Sequence, residues 1–117
     1  MIKEKNYFEA EFSGGLLAVR ILGEIDHHSA LGLRQGIDAL IAENRPSRLI
    51  MDLSRVDFMD SSGLGLIMGR LERAEQIGAT LHLTGLSPTI CKLIRLSGIE
   101  RQKNLSIENK TVKEITK

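Results

Sequence analysis

Alternating and periodic apolar positions predict where the first strands and helix lie. Residues 7–12 alternate between apolar and polar side chains, residues 13–15 are Ser-Gly-Gly, and residues 16–22 form an apolar run. Together they predict a β-hairpin. Apolar residues at helical spacing then predict an amphipathic helix that ends before Pro46. That spacing is formed by Ala30, Leu33, Ile37, Leu40 and Ile41.

The second half of the chain continues to alternate strands with helices. The nearly continuous apolar run at residues 48–53 predicts a strand in the sheet interior, because such runs are typical of strands covered on both faces. Residues 81–84 predict another strand. Ser87-Pro88 as a start signal and Gly98 as a stop signal predict a helix from Pro88 to just before Gly98. The tail predicts a short strand at 105–107 and a helical turn at 112–115. The pattern indicates one α/β domain with a mixed, mostly parallel sheet and helices packed on it.

Residues 56–69 join the central strand to a helix through a polar turn, Asp60-Ser61-Ser62. At such a turn, a short polar side chain can cap free backbone N–H groups, and these groups with the helix dipole favour a negative charge. The turn is therefore a candidate helix cap, anion pocket or phosphorylation site. A similar cap is expected from Asp26, His28 or Ser29 at the preceding helix.

Two glycines inside the predicted helix need a compensating reason, because each costs about 1 kcal/mol relative to Ala. In helical projection, Ser62, Leu66 and Gly69 share one side with Gly65 beside them. The opposite, core-facing stripe is formed by Leu64, Ile67 and Leu71. The glycine side either faces another molecule or lets the helix lie close to a neighbouring element of its own fold. The spacing alone does not decide between these two interpretations.

Composition limits the classes of function that are available. The chain has 117 residues, 42% apolar content and a net charge of +1, which predicts a single domain over residues 1–117 and no general attraction to nucleic acid or an anionic membrane. No apolar run approaches the roughly 20 residues of a membrane span, and the N-terminus lacks the apolar core of a signal peptide. A cytoplasmic protein is therefore expected.

Catalytic and metal sites have little support in the sequence. Asp60-Ser61-Ser62-Gly63 does not form the Gly-x-Ser-x-Gly elbow of a serine hydrolase. His27 and His28 are adjacent, so their rings are expected to point apart, and neither they, His82 nor Cys91 show metal-ligand spacing. Carboxylates such as Asp38 are expected on helix surfaces, unpaired for acid–base chemistry. We predict neither an enzyme nor a metal site.

A dinucleotide loop is a weak alternative for Gly63, Gly65 and Gly69. Glycines after a strand can let the backbone approach a phosphate. However, the predicted strand ends near Leu53, several residues too early, and no Gly-Lys-Ser/Thr follows.

The sequence resembles the STAS-domain anti-anti-sigma factors, and in particular their sporulation branch. The resemblance is carried by residues 58–65, Phe-Met-Asp-Ser-Ser-Gly-Leu-Gly, and by residues 23–28, Gly-Glu-Ile-Asp-His-His. It implies that Ser62 is the phosphorylated residue and Ser61 its unmodified neighbour. The partner-binding residues predicted from the motif and the glycine side are Asp26, His27, Asp60, Ser61, Gly63, Gly65, Leu66 and Gly69.

The resemblance implies a switch. The unphosphorylated chain would bind an anti-sigma factor that is also a serine kinase, thereby freeing a sigma factor, and phosphorylation of Ser62 would end that binding. The chain would be a monomer when free and hold no cofactor, since ATP or ADP belongs to the kinase, and a serine phosphatase would reset it. The alternatives are a stress-response antagonist of the same family or, in another class, a small nucleotide-binding or hydrolytic protein.

Overall fold

A computed structural model of the chain describes residues 2–4 and 8–108, with six strands in one sheet. The elements in chain order are β1 (Ile2–Glu4), β2 (Phe8–Ser13), β3 (Leu16–Ile25), α1 (His27–Asn44), β4 (Arg48–Met59), α2 (Ser61–Gln76), β5 (Thr80–Thr84), α3 (Pro88–Ser97), a 3-10 turn (Ile99–Arg101) and β6 (Leu105–Glu108). The strands lie in sequence order across the sheet. The first two pairings are antiparallel and the remaining three are parallel, which confirms the predicted α/β fold with a mixed, mostly parallel sheet.

The helices bury their apolar stripes against the sheet. Burial of these side chains is the main favourable contribution to folding. The fully buried large side chains are Phe8, Leu17, Ile21, Ile25, Leu33, Ile37, Leu49, Ile50, Met51, Leu53, Ile67 and Leu81. Since α1 follows β3 and α2 follows the parallel neighbour β4, both helices begin at the same end of the sheet. This topology brings their N-termini together.

The central strand is longer than the sequence predicts. Residues 49–53 are all buried, as expected for an interior strand, but β4 continues to Met59. Beyond Asp52 it no longer pairs with β5 and is held by β3 alone, with two irregularities in register. Those irregularities interrupt the alternation of buried and exposed positions, so the apolar pattern stops while the backbone pairing goes on. The prediction that the strand ends near Leu53 is therefore wrong.

The predicted helix ends are confirmed where the sequence contains a specific cap. Ser87 Oγ accepts the backbone N–H of Ile90 at 3.2 Å, Pro88 begins α3, and Gly98 follows it in the left-handed conformation at φ 78°. The predicted tail strand appears as β6, whereas β1 was not predicted. Tyr7 and the predicted turn at 112–115 lie outside the described residues. Over residues 2–4 and 8–108, no helix is long and apolar enough to cross a bilayer.

Candidate functional site

Helix α2 begins at a cap provided by Asp60. Oδ1 of Asp60 accepts the backbone N–H of Ser62 at 2.7 Å, so the residue after β4 fixes the first turn of the helix. Ser61 is exposed and Ser62 is half-buried. Among the described residues, the Ser62 hydroxyl has no hydrogen-bond partner, so no neighbouring group fixes its oxygen.

Helix α1 begins at a second and more extensive cap. Oδ1 of Asp26 accepts the backbone N–H groups of His28 and Ser29, each at 2.9 Å, and Ser29 Oγ accepts the backbone N–H of Asp26 at 3.0 Å. The N–H of Ser29, with that of His28, holds the pKa of the Asp26 carboxyl below its ordinary value of 3.8. Asp26 is thus the cap among the three candidates. The rings of His27 and His28 meet edge to face, 5.9 Å apart, so the expectation that they point apart is wrong.

A shallow groove of about 340 Å³ runs between the two helix starts. One wall belongs to α1 and the other to α2, and the lining residues are His27, Ala30, Leu31, Arg34, Ser62, Gly65 and Leu66. The groove brings together four residues predicted for the site, His27, Ser62, Gly65 and Leu66. Asp26 and Asp60 lie at the caps beside it, and Gly69 lies one turn beyond Gly65 on α2.

The three glycines of α2 have different surroundings. A Cβ atom built on Gly65 or Gly69 meets no atom within 4 Å, whereas one built on Gly63 would overlap Cγ and Sδ of Met59. Gly65 and Gly69 therefore face open space, and close internal packing does not explain them. Gly63 is buried, so its role is to let α2 lie against the end of β4, and it offers no surface to a partner. All three lie inside α2 and not in a loop, which removes the basis of the dinucleotide alternative.

Leu66 is not on the open side of the helix. It is 4% exposed and forms part of the groove floor, whereas Met68 is 54% exposed. The buried positions of α2 are Gly63, Leu66, Ile67, Arg70, Leu71 and Ala74. One of these buried residues, Arg70, is charged. An apolar pattern does not count it as a core position, so the predicted core stripe is displaced by about one residue from the observed buried face.

Arg70 is buried because α1 supplies a carboxylate for it. Its Nε atom lies 2.8 Å from Oδ1 of Asp38, and its side chain is 4% exposed. The contact lacks the alignment of a directed hydrogen bond, so it acts mainly through charge. Burial lowers the pKa of the Arg70 guanidinium, and the charge of Asp38 opposes that change. Asp38 therefore lies in the seam between α1 and α2, and its prediction as a surface carboxylate is wrong.

Three exposed apolar side chains on α1, β4 and α2 were not predicted as site residues. Leu31 lines the groove and is 52% exposed, and Phe58, two residues before the Asp60 cap, is 50% exposed. Met68 of α2 is exposed to a similar extent, and of these three side chains only Leu31 lines the groove. Arg34 was also missed. Leu31 could have been identified from the sequence, since it is an apolar residue on the side of α1 where polar residues are expected.

A family model described as the STAS domain matches residues 7–112. The anti-sigma F factor antagonist of Paenibacillus polymyxa is 35% identical over 91 residues, which are 78% of this chain and 78% of that protein. The anti-sigma-B factor antagonist of Bacillus subtilis is 33% identical over 84 residues, 72% of this chain and 75% of that protein.

The fold is similar to that of a solved antagonist in two states. The structure of the anti-sigma factor antagonist SpoIIAA in its unphosphorylated form has a TM-score of 0.74 and 28% identity, covering 93% of this chain and 94% of that one. The Bacillus cell fate determinant SpoIIAA in the phosphorylated form has a TM-score of 0.74 and 30% identity, covering 93% and 96%.

Proposed function

The chain belongs to the STAS domain family, and from this premise we propose that it is an anti-sigma factor antagonist that phosphorylation of Ser62 switches off. Its relatives include anti-sigma factor antagonists, one of them solved in phosphorylated and unphosphorylated forms. The observation that carries the proposal is the Ser62 hydroxyl, which is free of hydrogen bonds within the described structure and lines the groove between α1 and α2.

In the unphosphorylated state, the groove would bind the anti-sigma factor and so free the sigma factor. Leu31, Phe58 and Met68 supply apolar surface, and the open sides of Gly65 and Gly69 let a partner approach the helix backbone closely. Asp26 and Asp60 would act mainly by fixing the helix starts, since their carboxylates already accept backbone N–H groups.

Phosphorylation would weaken this docking through charge. A phosphoserine adds about −1.5 to −2 charge at neutral pH, and burying that charge in an interface without compensation is unfavourable. The anti-sigma factor would itself be the serine kinase and hold the ATP, while this chain would be its substrate, with no catalytic role and no cofactor. A serine phosphatase would restore the active form, and the cycle would take place in the cytoplasm with a monomeric antagonist.

Phosphorylation with peptide mapping tests the proposal. The chain is incubated with its anti-sigma factor kinase and MgATP, and the modified peptide is identified by mass spectrometry. We expect stoichiometric modification at Ser62, none in Ser62→Ala, and full modification in the matched control Ser61→Ala. Modification that maps to Ser61, or an unmodified chain that does not bind the anti-sigma factor, would reject the proposal.

The stress-response branch is the second candidate, because the anti-sigma-B factor antagonist of Bacillus subtilis is 33% identical to this chain, against 35% for the anti-sigma F relative. Titration against purified anti-sigma factors of the two branches distinguishes them. We expect the tighter complex with the sporulation-type partner, in keeping with the Asp-His-His and double-serine motifs. Tighter binding to the stress-response partner would assign the chain to that branch.

A further inference from the structure

Arg34 and Ser62 lie on opposite walls of the groove. Arg34 comes from α1 and Ser62 from α2, and both line the same space of about 340 Å³. Arg34 is exposed and makes no ion pair with any residue in the described ranges. Gly65 follows Ser62 by one turn on the same wall, and the space beside it is open. A long side chain on α1 can therefore reach toward Ser62 without obstruction from Gly65.

The seam below the groove has more positive than negative charges. Burial lowers the pKa of Arg70, Asp38 raises it, and the charges of Arg34 and Arg73 lower it again, with a smaller opposing effect of Glu72. Two further arginines and two carboxylates of α1 and α2 thus act on Arg70. Because Asp38 already contacts Arg70 and lies 3.8 Å from Arg73, Arg34 is the arginine left to receive a new anion.

The cap at Asp60 limits where a phosphate on Ser62 can lie. Its carboxylate is 2.7 Å from the backbone nitrogen of Ser62, so a dianion is repelled from the side of Asp60. The groove side offers the guanidinium of Arg34, whose planar donors suit a phosphate in a bidentate arrangement.

We propose that Arg34 is the positioning residue for phosphorylated Ser62, pairing with the phosphate across the groove. The inference rests on the proposed function only in taking Ser62 as the modified residue. Arg34 offsets only part of the phosphate's charge of about −1.5 to −2, so a net negative charge still opposes docking. In addition, the phosphate fills the groove together with a side chain of the same protein. The cation that a partner would otherwise meet at Arg34 is then neutralised from within.

The test measures the second pKa of the phosphate by ³¹P NMR. Phosphoserine is introduced at position 62 during translation, so no kinase is needed. An opposite charge nearby favours the dianion and lowers this pKa from about 6. We expect the pKa in the otherwise native chain to be lower than in Arg34→Gln by about 0.5 or more. Arg34→Lys should restore most of the difference, and Arg101→Gln, on an exposed turn outside the groove, should shift it by less than about 0.2.

The other ionisable side chains at the groove and its two helix caps are Asp26, His27, His28 and Asp60. None of these four residues is replaced in any variant. In addition, the Nε–Hε resonance of Arg34 should move when phosphoserine replaces serine at position 62.

The possible results separate the inference from the function on which it rests. An equal phosphate pKa in the native chain and in Arg34→Gln, or an effect of Arg101→Gln as large as that of Arg34→Gln, would overturn the pairing. The proposed function would survive either result, because binding to the anti-sigma factor is measured separately. Conversely, a kinase that modifies another serine would reject the function while leaving the pKa comparison interpretable.

Discussion

Asp60 joins the end of β4 to the start of α2 through one short hydrogen bond. The bond satisfies one of the free N–H groups of the first helical turn. It also fixes the backbone of Ser62, the residue whose hydroxyl would be modified. A change at Asp60 is therefore expected to act on the geometry of the helix start before it acts on any contact with a partner.

Replacing Asp60 with Ala removes this cap, and we expect the free energy of unfolding to fall by about 1 kcal/mol, within a range of about 0.5–2. Asp60→Asn should lose less, since its amide oxygen can still accept the N–H. Urea denaturation measures both. The control is Asp57→Ala, an exposed residue of β4, which should stay within about 0.5 kcal/mol of the native chain. An equal loss of stability in Asp57→Ala would show that the effect of Asp60→Ala comes from the loss of a charge and not from the loss of the cap.

The glycines of α2 give opposite expectations at neighbouring positions. Gly69→Leu places a side chain in open space, so stability should be kept or raised by up to about 1 kcal/mol while affinity for the anti-sigma factor falls by at least about tenfold. Gly63→Ala should instead destabilise the fold, because its Cβ overlaps Met59. Thermal melts and calorimetric titration of both variants test the pair. A stable Gly69→Leu that binds like the native chain would show that this side of the helix is not a docking surface.

At the level of secondary structure, the sequence predicts elements well where the pattern is local. Ser87, Pro88 and Gly98 mark α3 because caps and turn residues act within a few positions of one another. The predicted core stripe of α2 is displaced by about one residue from the observed buried face, because Arg70 occupies a core position and its partner Asp38 is on another helix. No local pattern reports a contact between residues so far apart in the chain. The late end of β4 escaped prediction for the same reason, since pairing with β3 alone sustains it.

The seam between α1 and α2 depends on the contact between Asp38 and Arg70. Asp38→Ala leaves a buried guanidinium without its carboxylate, and we expect the free energy of unfolding to fall by about 3 kcal/mol. Replacing both residues with apolar ones, Asp38→Leu with Arg70→Met, should recover most of that loss because no buried charge remains. Chemical denaturation of the single and double variants measures this. A single variant as stable as the native chain would mean that water or Glu72 compensates Arg70.

At the scale of the whole molecule, the topology places the Ser62 hydroxyl, the proposed site of phosphorylation, in the groove between two helix starts. The order β3, α1, β4, α2 places two helix starts side by side at one end of a parallel pair of strands. The groove between them rests on a packed core that includes Ile25, Leu33 and Ile67. The general fold could be predicted from the sequence, but the groove could not, since it exists only once α1 and α2 are packed together.

Because the groove lies on preformed helices, phosphorylation should change binding without changing the fold. The TM-score of 0.74 to SpoIIAA in both its unphosphorylated and phosphorylated forms accords with this expectation. A phosphate at the start of α2 is tolerated by the helix dipole in the free chain, whereas in a complex it would be desolvated against the partner. The melting temperatures of the two forms should therefore lie within a few degrees of each other.

Their affinities for the anti-sigma factor should differ by at least about tenfold, or about 1.4 kcal/mol. Ser62→Asp should reproduce only part of the loss, because a carboxylate has less charge and fewer acceptor oxygens than a phosphate. Ser62→Ala, which adds no charge, is the control and should bind like the unphosphorylated chain. Calorimetric titration and thermal melts of all four forms decide the matter. Equal affinities, or a melting temperature that collapses on phosphorylation, would show that the switch works by remodelling the fold or not at all.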